Sequence, residues 1–253
     1  MAYFVVFIFG AVIGSFLNVC IYRIPRGRSI VTPRSFCPNC EGPIAWYDNV
    51  PLLSFLVLGA RCRSCRGRIP PKYFVVELIT ASLGTLLYYF FGFTPDFFVY
   101  WTMSCALIVI SFIDIERREI PDVITLPGIA AGFVMVSVFA LHGAPAVSAF
   151  RSLAGIFAGG ASMFVLGYTG ELIFKKDALG GGDIKLMAMI GAFLGWRLVL
   201  LTFFTAPILG SGVSVFMMIK KRRESIAYGP YLAGGAIVSL LFGDQILRYL
   251  FVY

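Results

Sequence analysis

The sequence predicts an all-α, polytopic integral membrane protein with about eight transmembrane helices and a small cytoplasmic insertion resembling a zinc ribbon. Its composition is the first reason, because 59% of the residues are hydrophobic and only 13% are charged. A chain of 253 residues with this balance is too apolar for a soluble domain. The second reason is that the charges fall in short bursts between apolar runs, most of them long enough to cross a bilayer. The third is a pair of C-x2-C motifs in the one sizeable polar segment.

The apolar runs predict eight crossings, of which the sixth is unusually short. The predicted crossings are residues 2–22, 73–92, 97–114, 122–141, 148–174, 184–196, 198–219 and 230–251. The sixth, at about 1.5 Å per residue, spans about 20 Å of a hydrocarbon core about 30 Å thick. We retain it because without it the basic run at 220–223 would fall on the wrong side of the membrane. We expect the first run to be a retained helix rather than a cleaved signal, since it lacks a preceding basic region.

The distribution of Lys and Arg predicts the orientation. With eight crossings, 18 of the 21 basic residues lie on one side, and only Arg151, Arg197 and Arg248 lie on the other. The basic side is expected to be cytoplasmic, with both termini external. The net charge of +8 is explained by this topology and by contact with anionic lipid, so nucleic-acid binding is not predicted.

The cysteine pairs lie in the segment 23–72 and predict a metal site. Cys37 and Cys40 form the first pair, and Cys62 and Cys65 form the second. Thiolates two residues apart can occupy adjacent corners of one tetrahedron, so two pairs complete a four-thiolate zinc site. Disulfides are the alternative, disfavoured by a reducing cytosol, and redox chemistry is a further one.

Two aspartates each lie at the cytoplasmic end of an apolar run. Asp183 follows the glycines Gly180, Gly181 and Gly182, and Asp114 ends the third crossing. Ionisable groups beside the membrane are costly and therefore indicate function. Glycines lack Cβ, permit positive φ and allow another backbone to approach the acid. The alternative for the glycine stretch is a solvated turn between two helices.

Other polar residues have simpler explanations. Asp122 follows Pro121 and is expected to cap the next helix. Glu77, about one turn inside the second crossing, could pair with a basic residue, reach the interface or bind a ligand. Ser15 and Asn18 are expected to hydrogen-bond another helix.

At this point the chain resembles a known family, the bacterial prepilin peptidases of type IV pilins and type II secretion pseudopilins. The segments that carry the resemblance are Gly14–Val19, Tyr22–Pro25, the two cysteine pairs, Asn49–Pro51, Tyr73 with Glu77, Asp114–Asp122, Gly180–Leu186 and Gly229–Tyr231. Phe74 departs from the pattern, since the family commonly has proline after the tyrosine.

The resemblance implies the residue roles and the domains. Asp114 and Asp183 correspond to the family's catalytic aspartates, and the four cysteines to its zinc-type ligands. Gly180, Gly182, Lys185 and Glu77 are candidates for supporting the substrate or the methyl donor. The expected divisions are a first helix at 1–22, a methyltransferase-associated zinc segment at 23–72 and a peptidase core at 73–253.

The resemblance also implies the reaction. It predicts a GxGD aspartyl endopeptidase of the bacterial inner membrane, with its active site facing the cytoplasm, that removes the leader of prepilins or pseudopilins after a glycine. It further predicts methylation of the new N-terminus, usually phenylalanine, by S-adenosylmethionine. The four cysteines favour this bifunctional enzyme over a peptidase without methylation. Two other classes stay open at this stage, a proton-coupled carrier that uses the two acids as a relay and a membrane scaffold whose zinc module binds a partner. The expected partners are prepilin substrates and the lipid bilayer, and no oligomeric state is predicted.

Overall fold

A computed structural model describes residues 1–141, 148–175, 180–219 and 227–251 of the chain. The helices of this part are α1 Ala2–Arg23, α2 Leu53–Val57, α3 Lys72–Phe91, α4 Pro95–Arg117, α5 Asp122–Leu141, α6 Ala149–Phe174, α7 Gly181–Ile219 and α8 Gly229–Phe251. The described residues hold no strand, only two isolated β-bridges. The all-α prediction is confirmed. The basic run predicted at 220–223 lies outside the described residues.

Seven segments of the described chain are long and apolar enough to cross a membrane. They are Ala2–Arg26, Lys72–Phe91, Pro95–Arg117, Asp122–Phe139, Ala149–Ile173, Gly181–Gly212 and Gly229–Leu250. The predicted sixth and seventh crossings fall together in the segment Gly181–Gly212. The protein is therefore a polytopic helical membrane protein, as its composition predicted.

The chain forms two compact units, Met1–Phe93 and Thr94–Tyr253. The sequence placed a division at 72/73, but α3 packs along α1 and belongs with it. α3 packs on α1 because small residues on α1 allow the two helices to approach closely. The spacing of these residues in the sequence does not show which helix they contact.

In the first unit, α1 and α3 run antiparallel in a register set by glycine. A Cβ built on Gly14 would lie 2.7 Å from Glu77 Cα, so only glycine permits this approach. One turn earlier, a Cβ on Gly10 would lie 2.8 Å from Ala81 Cα. This is the small-residue packing expected between membrane helices.

A hydrogen bond holds the same pair of helices together. One turn after Gly14, Asn18 Nδ2 donates to the Tyr73 carbonyl at 2.9 Å. The Ser15 side chain lies close to Glu77 of α3. The predicted interhelical hydrogen bond of Asn18 is confirmed, and that of Ser15 stays a prediction.

The loop between α1 and α3 is anchored by Arg23 at the end of α1. Its buried guanidinium donates to the carbonyls of Ser29 at 3.0 Å, Pro33 at 2.7 Å and Arg34 at 3.3 Å. Three carbonyl acceptors satisfy a charge that burial would otherwise make costly. Arg23 thereby folds the start of the loop back over α1 and leads the chain into the first cysteine pair.

In the second unit, the first part of α7 is the core. Residues 186–195 are all buried, and α5, α6 and α8 pack around α7. A helix that is apolar on every side is expected to be enclosed by other helices. This enclosure explains how a run too short for a full bilayer crossing is accommodated.

The chain reverses direction at Gly195 within α7. Gly195 has φ 76° and ψ 173°, a conformation that is essentially confined to glycine. A Cβ built on Gly159 of α6 would contact both the Met187 carbonyl and Val199 Cγ2. In a straight helix those two residues would be about 18 Å apart. The two halves of α7 therefore lie side by side, and the turn falls between the predicted sixth and seventh crossings.

Candidate active site

Asp114 lies buried in the last turn of α4, with 5% of its surface exposed. Its Oδ2 accepts a hydrogen bond from the backbone N–H of Gly229 at 2.8 Å. Gly229 is the first residue of α8, so its N–H has no partner within that helix. The N-terminus of α8 therefore fixes one oxygen of the Asp114 carboxylate.

Asp183 lies in the first turn of α7, and its backbone N–H donates to the Gly180 carbonyl at 3.1 Å. Its carboxylate is close enough to Asp114 for the two charges to interact. Two carboxylates 69 positions apart in the sequence thus share one site. Neighbouring carboxylates of this kind can divide one proton between them, which is what acid–base hydrolysis requires.

Tyr228 is part of this site, and sequence reasoning missed it. It is half-buried, and burial together with the nearby Asp183 charge raises its pKa. Its phenol therefore stays protonated and can donate a hydrogen bond beside the carboxylates. In the sequence, Gly229–Tyr231 carried part of the family resemblance, but nothing there connected Tyr228 to the aspartates.

The three glycines before Asp183 have different roles. A Cβ on Gly182 would lie 2.8 Å from Ile120 Cβ, so Gly182 lets α7 start close to the turn between α4 and α5. A Cβ on Gly181 would meet nothing within 4 Å, and one on Gly180 would meet the Asp183 Oδ2 at 3.6 Å. None of the three has positive φ, so the left-handed conformation that glycine allows is not used here. The glycines instead leave open space beside Asp183.

An ion pair between Lys185 of α7 and Asp122 of α5 also joins the start of α7 to the start of α5. Lys185 Nζ lies 2.6 Å from Asp122 Oδ2, and both side chains are largely exposed. Asp122 is the first residue of α5, where the sequence predicted a helix cap, but the contact of its carboxylate is with Lys185. An exposed ion pair of this kind contributes little stability.

The four cysteines of the first unit converge. The Sγ atoms of Cys37, Cys40, Cys62 and Cys65 all lie within 4.8 Å of one another. Cys37 and Cys65 Sγ are 3.9 Å apart, and zinc–sulfur bonds of about 2.3 Å imply about 3.8 Å along a tetrahedral edge. The donor set and its spacing therefore fit a zinc ion.

The two cysteine pairs are built in the same way, with an offset of 25 residues. The Cys37 N–H donates to the Gly42 carbonyl at 2.9 Å, and the Cys62 N–H donates to the Gly67 carbonyl at 2.9 Å. Backbone amides of Cys65 and Ser64 lower the pKa of the Cys62 thiol to about 7. The pKa of the Cys65 thiol instead rises to about 11, because the Gly67 amide, which lowers it, is outweighed by burial and by hydrogen bonds with the neighbouring cysteines. Amides directed at sulfur favour the thiolate, which is the form that binds metal.

Glu77 contacts the loop as well as α1. Its Oε2 accepts a hydrogen bond from the Leu52 backbone N–H at 2.8 Å. Glu77 is buried and lines a cavity of about 770 Å³ between α1, the loop and α3. The cavity lies wholly within the first unit. Within the described ranges no basic side chain pairs with Glu77, so the structure does not support the ion-pair alternative.

Comparisons with known proteins agree with the two units. The family described as "Bacterial Peptidase A24 N-terminal domain" matches residues 8–91, and the "Type IV leader peptidase family" matches residues 101–215. The first match falls inside the first compact unit and the second inside the second unit. No solved structure matches the chain.

Several relatives carry the name "Prepilin leader peptidase/N-methyltransferase". One from Myxococcus xanthus is 40% identical over 86% of this chain, which covers 63% of that relative's length. One from Pseudomonas aeruginosa is 33% identical over 94% of this chain and 90% of its own length, and one from Aeromonas hydrophila is 33% identical over 96% and 92%. These matches extend over both units, and the chain belongs to the bacterial type IV leader peptidase family.

Proposed function

We propose that this protein is a membrane aspartyl endopeptidase that removes the leader of type IV prepilins or pseudopilins and then N-methylates the new N-terminus. One observation carries the peptidase assignment. Asp114 and Asp183, from the ends of two different helices, interact in one site beside an opening left by glycine. The family membership and the names of the relatives support the same activity.

Proteolysis proceeds by acid–base chemistry at the two carboxylates. The ionised carboxylate takes a proton from water, and the resulting hydroxide attacks the scissile carbonyl carbon. The protonated carboxyl group donates to the leaving amine nitrogen as the C–N bond breaks. The Gly229 N–H holds Asp114 Oδ2 and leaves the other oxygen of that carboxylate for this exchange. The Tyr228 hydroxyl adds a neutral donor near Asp183.

The substrate enters as an extended segment next to Asp183. Gly180 and Gly181 leave room there for a peptide backbone, since no side chain of the described part of the chain fills it. The substrate class follows the family, a precursor with a short charged leader cut after a glycine. The exposed ion pair between Lys185 of α7 and Asp122 of α5 joins the start of α7 to the start of α5. We assign it a role in contacting the polar leader.

Methylation is assigned to the first unit. S-adenosylmethionine supplies the methyl group, and the new N-terminal residue, usually phenylalanine, accepts it. A four-thiolate zinc site has no open coordination position, so Cys37, Cys40, Cys62 and Cys65 hold zinc in a structural role. The zinc fixes the loop that lies between α1 and α3.

We expect the protein in the bacterial inner membrane, with the loop and the aspartates on the cytoplasmic side and both termini external. The excess of Lys and Arg in the segment 23–72 supports this orientation. The charged leader of a precursor is then on the side where the aspartates lie.

The test is cleavage of a purified prepilin by the purified protein with S-adenosylmethionine, followed by mass spectrometry of the new N-terminus. Wild-type protein is expected to give cleaved and methylated product. Asp114→Asn and Asp183→Asn are each expected to abolish cleavage while the protein stays inserted. A cleaved product from either variant at the wild-type rate would refute the assignment of the catalytic pair.

A further inference from the structure

We propose that the cavity of the first unit is the methyl-transfer site and that Glu77 binds and deprotonates the α-amine that is methylated. This inference rests on the methyltransferase part of the proposed function and assigns its site, its acceptor group and its catalytic base. The cavity, the placement of the carboxylate and the fact that no basic side chain in the described part of the chain pairs with Glu77 carry it.

The cavity has the size and the lining expected of a site for two organic groups. Its volume of about 770 Å³ lies within the range of about 300–1,000 Å³ that is usual for ligand sites. Val12, Phe16 and Val19 of α1 give it an apolar wall. The loop supplies polar groups, among them Asn49 and Ser64. The apolar wall suits the side chain of the new N-terminal residue of the pilin. The polar wall suits the nucleoside and amino-acid parts of the methyl donor, S-adenosylmethionine.

Glu77 is held between these two walls. The Ser15 side chain lies close to it on the α1 side, and Leu52 N–H donates to its Oε2 from the loop side. A carboxylate offers about four acceptor positions, so the bond from Leu52 leaves acceptor capacity for a ligand. Leu52 has φ 63° and ψ −49°, a strained conformation for a residue with a side chain.

The local surroundings of Glu77, and not the summed charge of the lining, favour a cationic guest there. The lining holds two acidic side chains, Asp48 and Glu77, and three basic ones, Arg23, Arg63 and Arg68. Arg23 donates to the backbone carbonyls of the loop. Asp48 is bound by Arg63, whose Nε and an Nη donate to it at 2.8 Å and 2.6 Å. No basic side chain of the described residues pairs with Glu77. Both reactants are cations, an ammonium on the acceptor and a sulfonium on the donor, so a carboxylate without a basic partner is the group that attracts them.

The proposed step balances as follows. The ammonium of the acceptor transfers one proton to the Glu77 carboxylate and becomes a neutral amine. The amine lone pair attacks the methyl carbon of the sulfonium, a new N–C bond forms, and the C–S bond breaks with its electron pair kept by sulfur. The products are a methylammonium and a neutral thioether. The proton on Glu77 is then released to water through the cavity.

The first experiment compares Glu77→Gln with Glu41→Gln. Glutamine can still accept the Leu52 N–H but cannot take the proton or balance an ammonium charge. Glu41 is an exposed glutamate of the same loop that does not line the cavity. We expect Glu77→Gln to reduce the methylation rate by about 100-fold or more, which is typical of a lost general base. Cleavage and zinc content should be unchanged, and Glu41→Gln should behave as wild type.

The pH profile separates a base from a residue that only positions the loop. Without a base, the amine must lose its proton to solvent, so the residual rate of Glu77→Gln should rise about tenfold per pH unit up to the amine pKa of about 7.7–8.0. The wild-type rate should be flatter over that range. A merely structural role would lower the rate without changing the profile, and that result would overturn the assignment of the base.

The second experiment locates the donor. Ala45 lines the cavity, whereas Leu56 is an exposed loop residue that does not. Binding of S-adenosylhomocysteine, measured by calorimetry, should weaken by about tenfold or more in Ala45→Trp because the added side chain overfills the site. Leu56→Trp should bind as wild type. Equal binding by both variants would place the donor elsewhere and overturn the cavity assignment.

The outcomes also separate this inference from the proposed function. If wild-type protein cleaves but never methylates, the methyltransferase assignment falls and the present inference falls with it. If wild-type protein methylates and Glu77→Gln does so at the same rate, the present inference alone is wrong.

Discussion

The Asp114 carboxylate accepts a hydrogen bond from the backbone N–H of Gly229 at 2.8 Å, which brings the C-terminus of α4 to the N-terminus of α8. This contact constrains the path between them. Asp114 marks one side of the second unit. The chain runs away from that side in α5 and back to it in α6. It must therefore run away and back once more, within α7, for α8 to start there. The reversal at Gly195 provides this, and a straight α7 would carry α8 to the opposite side.

The first prediction concerns this hydrogen bond. Gly229→Ala would place a Cβ 2.8 Å from Asp114 Oδ2, so we expect the carboxylate to be displaced and cleavage to fall by about tenfold or more. The control is Gly234→Ala in the same helix, whose Cβ meets its nearest neighbour, Leu209, at 3.4 Å. Prepilin cleavage by both inserted variants is the measurement. Full activity in Gly229→Ala would mean that this geometry does not matter for catalysis.

The second prediction separates Asp122 from the catalytic pair. Asp122→Asn loses an exposed ion pair with Lys185, so cleavage should fall only a few-fold. Lys185→Met, which removes the same pair from the other side, should match it. Cleavage rates of the two variants decide the point. An inactive Asp122→Asn beside an active Asp114→Asn would show that Asp122 is the catalytic acid.

The third prediction concerns the reversal of α7. Gly195→Ala forces a side chain into the conformation at φ 76° and ψ 173°, which should cost about 1–3 kcal/mol in free energy of unfolding. Gly212→Ala is the control, because a Cβ there meets nothing within 4 Å. Thermal unfolding in detergent measures the difference. Equal stabilities would argue that residue 195 does not adopt this turn.

The fourth prediction is that the two activities separate at the zinc cluster. Cys37→Ser or Cys65→Ser should lose zinc and unfold the loop locally, because metal binding and folding of such a ribbon are one equilibrium. Methylation should then fall much further than cleavage, since the aspartates belong to the other unit. Cys105→Ser, outside the cluster, is the control. Metal analysis and mass spectrometry of the processed N-terminus report both effects.

Two results would contradict this separation. A zinc-free Cys65→Ser protein that still methylates fully would make the cluster a docking module. A variant that loses both activities while inserted would mean that the loop also positions the substrate for cleavage.

The fifth prediction concerns orientation. Reporter fusions within 23–72, 175–182 and 220–228 should all report a cytoplasmic location, and fusions near 143–150 should report an external one. An external location at 220–228 would contradict the reversal at Gly195, because that reversal returns the chain to the side of Asp114.

The sequence predicted the elements whose signals are local. The apolar runs gave the helices, and the spacing of Cys37, Cys40, Cys62 and Cys65 gave a cluster that the structure confirms. Charge asymmetry required a short sixth crossing, and the structure places the turn at Gly195, close to the predicted interval. These features depend on composition and spacing within one segment, which a sequence displays directly.

The parts that sequence reasoning missed depend on contacts between distant segments. Gly229 and Tyr228 reach the aspartates only because α8 starts beside the end of α4. Likewise, the glycines of α1 gave no indication that α3 belonged to the same compact unit as the zinc segment. In both cases the contact is made by a backbone group or depends on the lack of a side chain. The order of residue types in a sequence does not show which distant segments such contacts join.

The loop that holds the cysteines is tethered at both ends by the antiparallel pair of α1 and α3. The Asn18–Tyr73 hydrogen bond keeps those two ends together whether or not metal is bound. When a chelator removes the zinc, the two ends of the loop therefore stay together. Re-forming the metal site then does not require the entropy loss of bringing those ends together again. The thiolates stay at a high effective concentration for one another, so once one thiolate has bound zinc from solution the others complete the site intramolecularly. Loss of metal in the membrane should accordingly be reversible, with methylation returning when zinc is restored and without passage through an unfolded protein.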